Sequence, residues 1–188
     1  MSGANPASGA NPTSGANPTG PENSWWREEY GDPCRECGFE WSIAPGDAIA
    51  AVEELPAEFA ELLAKSAGDA VPPGCTWSVK AYVFHVADNL RIFAERLEGV
   101  RAGGPRDLIG YDENELAAAR RYEEMSLPTA LWSVTDAVPR WAAASRAALA
   151  DDLTYLHSER GELRASEIVR APAHDARHHA WDVSRAVR

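Results

Sequence analysis

Ser78-Val79-Lys80-Ala81-Tyr82-Val83-Phe84-His85-Val86-Ala87-Asp88-Asn89-Leu90-Arg91-Ile92-Phe93-Ala94-Glu95-Arg96-Leu97 carries the clearest pattern in the chain. Val79, Val83, Val86, Leu90, Phe93 and Leu97 recur at helical spacing and form one apolar stripe. Thr76-Trp77-Ser78 supplies a capping sequence before it, and Gly103-Gly104-Pro105 stops it. Three further helices follow the same logic. One runs from Gly46 to Lys65, with Ile49, Val52, Phe59, Leu62 and Leu63 facing inward and Pro56 set to kink or divide it. Another follows Pro128, with Leu131, Val134, Val138, Trp141 and Leu149 spaced for burial and Pro139 in its interior. The last opens at Ala171 or Pro172. Between Pro105 and Leu127 lies a linker with a short helical piece, Glu113 to Glu124. No stretch sustains the period-2 alternation of a strand, so the expected fold is all-α, an up-down four-helix bundle.

The rest of the chain bounds the function. Ser2-Gly3-Ala4-Asn5-Pro6-Ala7 is the first of three copies of one hexad, none with a large apolar side chain. The expected organisation is a disordered tail over 1–23, a Cys- and Trp-containing extension over 24–44, and the bundle over 45–188. A formal net charge of -11 in 188 residues gives no footprint for a phosphate backbone, so a nucleic-acid partner is not expected. No apolar run approaches the ~20 residues of a membrane span, and the N-terminus has no secretion-signal pattern. A cytoplasmic protein is expected. The three cysteines are expected as reduced thiols, and the composition, rich in arginine and alanine, is of the kind found in high-GC actinobacteria.

His174-Asp175-Ala176-Arg177-His178 places two imidazoles four residues apart, within ~40° of each other on a helix, which is a metal-ligand spacing. His85 lies ~120° from the centre of the apolar stripe, on the flank with Tyr82, Asn89 and Ile92, at the border of the core. Three imidazoles from two helices would leave a coordination position open, the form of a catalytic site. His174, His178, Trp181 and Arg185 share a face, from which His179 turns away by about 100° and is left over.

Trp77-Ser78-Val79-Lys80 leading into His85-Val86-Ala87-Asp88, with His174-Asp175-Ala176-Arg177-His178-His179-Ala180-Trp181-Asp182-Val183, resembles the DinB-like family over most of residues 45 to 187. The resemblance implies a four-helix bundle in which one histidine of the second helix and an HxxxH pair of the fourth bind a divalent metal. Carried over, the ligands are His85, His174 and His178, and the metal is zinc, nickel or iron. Related bundles include bacillithiol- and mycothiol-dependent transferases and the N-terminal domain of mycothiol-dependent maleylpyruvate isomerases. The implied chemistry is a transferase or isomerase reaction, in which the metal activates a low-molecular-weight thiol that attacks an electrophilic substrate. The resemblance also implies that a homodimer is among the expected partners. Two alternatives stand beside it: a metal-dependent hydrolase, and a metal-binding stress or interaction protein without turnover. Position 175 holds Asp and the chain lacks the glutamate of HExxH, which places hydrolysis behind thiol transfer.

Cys34-Arg35-Glu36-Cys37-Gly38 is a separate constellation, read as half of a second metal site, as a redox pair or as an exposed loop. A zinc site needs two more ligands, and Cys75 and His157 are the candidates, His157 in an expected loop. Asp88 and Asp182, each near one turn past a histidine, are candidates to orient a ligand. Arg177 and Arg185 are candidates to bind an anion, with surface ion pairs as the simpler role.

Overall fold

The computed structural model describes residues 25–158 and 160–187; the hexad repeats expected to form a tail lie outside them. The extension begins with α1, Trp25–Tyr30. The first bundle helix is divided as Pro56 requires: α2 covers Pro45–Glu53 and α3 covers Leu55–Leu62, with each proline in the first turn, where its missing N–H costs nothing. α4 spans Val79–Arg101, and its Ser78 cap accepts from the Ala81 N–H. The linker holds α5, Glu113–Arg120, then a 3-10 turn over Tyr122–Glu124. α6 runs from Leu127 to Ala150 straight through Pro139.

α7 spans Ala165–Ala186, so Pro172 lies inside the helix and does not open it. Glu167 closes a capping box on Arg164, and buried Ile168 and Val169 extend the packed face one turn upstream, which outweighs the single amide bond that the proline removes.

A small sheet corrects the expectation of no strands. β1, Asp107–Leu108, pairs parallel with β2, Thr154–His157, and β2 pairs antiparallel with β3, Gly161–Arg164. Strands of two to four residues are too short to show an alternation, yet Leu108, Tyr155 and Leu163 all turn inward. His157 belongs to β2 and not to a loop.

α4 lies along α6, and α7 touches both α2 and α4. The core between them holds Phe59, Phe84, Leu90, Leu97 and Trp141, each essentially inaccessible to solvent. Gly68, at φ +89, lets the loop before α4 approach closely: a Cβ there would sit 3.0 Å from the Leu127 Cβ and 3.1 Å from the Lys80 Cβ. Among the described residues no helix is long and apolar enough to cross a membrane.

One consequence of this packing positions the site. From Ala81 to Leu90 every residue of α4 is buried, including His85, Asp88 and Asn89. Buried polar side chains need partners, and α4 finds them on α7 and in the α5 linker.

Candidate metal centre

His85 does not meet His174 and His178. Its partners are Asp175 and His179, and the candidate ligand atoms of these three residues lie within 4.8 Å of one another. His85 Nε2 stands 3.4 Å from Asp175 Oδ2, and His179 Nε2 stands 3.6 Å from Asp175 Oδ1. Ligands held at 2.0–2.1 Å in a tetrahedron are about 3.3–3.4 Å apart, and the two imidazole-to-carboxylate separations lie close to that spacing.

The expectation failed by one residue on the helix. His174-Asp175-x-x-His178-His179 contains two overlapping i, i+4 pairs, on faces about 100° apart. The pair that faces α4 is Asp175/His179. The pair at 174 and 178 turns toward the extension, where it meets Cys34 and Cys37. The place of Asp175 beside His179 was open to sequence reading, because the i, i+4 spacing holds for that pair as well as for the two histidines.

Neighbouring side chains hold the donors in place. Asn89 Nδ2 donates to Asp175 Oδ2 at 2.7 Å, and the Tyr111 hydroxyl donates to Asn89 Oδ1 at 3.2 Å. Asp182 Oδ2 lies 3.0 Å from His179 Nδ1. With its proton on Nδ1 held by this bond, Nε2 would be left as the atom to face a cation, the carboxylate-histidine arrangement that supports metal ligation. Tyr82 packs on the His179 ring at 4.8 Å and Trp77 on the His85 ring at 5.4 Å. His85 Nδ1 is buried without a hydrogen-bond partner, so the ring is held by Trp77 and by Asp175 at its other nitrogen. The side chain of His85 is 6% exposed and that of Asp175 31%, which opens the centre to solvent on the carboxylate side.

The electrostatics follow from this crowding. Burial by itself would raise the Asp175 carboxyl, but His85 and His179 outweigh it and hold the group well below the usual carboxylate range. Burial would lower His179, but Asp175 and Asp182 overcome it and raise the ring to about 9. Burial also raises the Tyr111 hydroxyl above its ordinary value, so it stays protonated and donates.

The other candidates divide. Asp182 holds the His179 ring through one oxygen, and its second oxygen binds Arg185 Nη2 at 2.6 Å. Arg185 also donates to the Pro73 carbonyl and lies 4.0 Å over the Trp181 ring, so it is a structural clasp. Arg177 pairs with Glu58. Asp88 is buried among Arg91, Arg120 and the Tyr122 hydroxyl, which donates to it at 2.6 Å; these partners are polar scaffold and not donors of the centre. Cys75 donates to Asp182 Oδ1 at 3.6 Å, and neither it nor His157 joins Cys34 and Cys37. The three cysteines are free thiols.

Residues 40–183 match the family model of the DinB superfamily. The chain belongs to that superfamily. Among solved structures this DinB-like chain is similar to YfiT from Bacillus subtilis, described as a probable metal-dependent hydrolase with an unusual four-helix bundle topology. The two are 18% identical with a TM-score of 0.60, over 77% of this chain and 89% of YfiT. That likeness establishes the shared fold. No curated protein matches the DinB-like chain.

Proposed function

We propose that this chain is a metal-dependent DinB-like enzyme that uses His85, Asp175 and His179 to hold a divalent cation, zinc first, and activates a low-molecular-weight thiol for attack on an electrophilic substrate. The cation supplies Lewis acidity that favours the deprotonated form of a bound nucleophile. The chain's own residues do the rest. Asn89 and Tyr111 keep the Asp175 carboxylate aimed at the imidazoles, Asp182 sets the tautomer of His179, and Trp77 and Tyr82 wall off the ring faces.

The observation that favours a thiol over water is the occupation of the carboxylates. Among the described residues, those touching the two imidazoles are Asp175 and Asp182, one facing both rings and the other bonded to His179 and Arg185. Neither is free to take a proton from water. A thiol, with a pKa of about 8.5, needs far less help to ionise than water at 15.7. The description of YfiT supports a second reading, metal-dependent hydrolysis.

The test is a turnover screen of zinc-loaded protein with mycothiol- or bacillithiol-type thiols and electrophiles, beside simple esters and amides. Product formation that requires the thiol and disappears in His85→Ala and Asp175→Ala supports the proposal. Metal-dependent hydrolysis without thiol replaces it with the second reading. Full metal binding with no turnover in either arm leaves a binding protein.

A further inference from the structure

Thiol transfer at the His85 centre leaves Cys34, Cys37, His174 and His178 unused, yet these four also bring their candidate ligand atoms within 4.8 Å of one another. We propose that they bind a second zinc ion in a closed Cys2His2 site that fastens the N-terminal extension to α7.

The local geometry is that of a ligand turn. The Gly38 N–H donates to the Cys34 carbonyl at 3.0 Å and the Cys34 N–H donates to the Phe39 carbonyl at 2.8 Å, with Gly38 in the left-handed region at φ +75. This loop turns both sulfurs of the CxxC to one side.

The distances fit. Cys34 Sγ lies 3.8 Å from His178 Nδ1, where zinc-sulfur and zinc-nitrogen bonds of about 2.3 and 2.0–2.1 Å in a tetrahedron predict about 3.6 Å. The far nitrogen of the same ring, Nε2, faces Glu36 Oε2 at 3.3 Å, which supplies a carboxylate for its proton. His174 Nε2 is buried with no hydrogen-bond partner, an otherwise costly orphan for which a cation accounts. Trp41, Tyr30 and Phe39 pack around the His174 ring at 4.4, 4.8 and 5.3 Å. Two thiolates and two neutral imidazoles balance the charge of a divalent ion. Four protein donors leave no position for substrate, so the role is structural.

The experiment uses the full chain in a Cys75→Ser background, purified without chelators or nickel resin. Two ions per chain are expected, and an organomercurial that modifies the two remaining thiols should release one of them. His85→Ala should keep the releasable ion, and its cobalt form should show thiolate-to-metal absorption. Cys34→Ser should lose both the ion and that absorption. Modification of both thiols with no metal release, or isolation of native protein with a Cys34–Cys37 disulfide, would overturn the proposal. Failure of the thiol-transfer reading would appear as absent turnover in protein that still carries both ions, so the two outcomes are separable.

Discussion

Exchanging Asp182 for asparagine tests the His85 centre through a residue that is not itself a ligand. The Asp182 carboxylate accepts from His179 Nδ1 at 3.0 Å and so keeps Nε2 available. Removing such a partner costs 10–100-fold in metal affinity, about 1.4–2.7 kcal/mol. Asp182→Asn retains one acceptor and a similar shape, which places it near the tenfold end of that range. The same charge helps raise His179 to about 9 in the metal-free protein, against the pull of burial. At pH 7 an incoming cation must therefore displace a proton, and that competition weakens apparent binding on the order of a hundredfold. Loss of the Asp182 charge lowers the ring's pKa and relieves the competition. The tenfold loss is thus largely masked near pH 7 and emerges above pH 9. Chelator-competition titrations with cobalt at both pH values, followed in the visible bands of the thiolate-free centre, give the affinities. Calorimetry in buffers of different ionisation enthalpy counts the protons, about one released by the wild type at pH 7 and fewer by the variant. Equal affinities above pH 9 together with equal proton release would refute the role assigned to Asp182.

Asn89→Leu keeps the volume on α4 but removes the 2.7 Å bond to Asp175, and should weaken binding at the centre by about tenfold or more in the same titration while leaving the ion at the cysteines in place. Leu90→Ala opens a void beside fully buried neighbours and should cost about 2–5 kcal/mol in denaturant unfolding. Ser78→Ala removes the α4 cap and should cost about 1 kcal/mol, a melting shift of about 2–4 °C. In the metal-free protein, burial, with the nearby His178, lowers His174 to about 4, so its imidazole stays neutral in the fold. Stability should therefore fall as pH drops from about 6.5 to about 4, and melting curves across that window check the sign.

The helices were legible where apolar spacing and punctuation agreed. Val79 to Leu97 with its Ser78 cap, and the break at Pro56, are local features that the packed molecule had no reason to override. The flank of His85, Tyr82 and Asn89 was legible too, and all three touch Asp175 or His179. The choice between the 174/178 and 175/179 pairs was not. It depends on which face of α7 meets α4 and which meets the extension, a long-range fact that spacing within one helix does not contain. Pro172 hid the first turn of α7, because the buried face and capping box that carry the helix past it are tertiary and side-chain effects. The CxxC gave no sign of its neighbour His174, 137 residues further on.

The interleaving of the two donor pairs on α7 makes that helix intolerant of a change in length. Deleting one residue between Pro172 and the first donor would swing everything downstream by about 100° and 1.5 Å relative to the upstream turns. A hydrophobic face can often absorb such a slip by repacking, but His174, Asp175, His178 and His179 face two separate clusters at once. An insertion or a deletion in this segment would therefore pull at least one of the two clusters apart, whatever the apolar face could absorb.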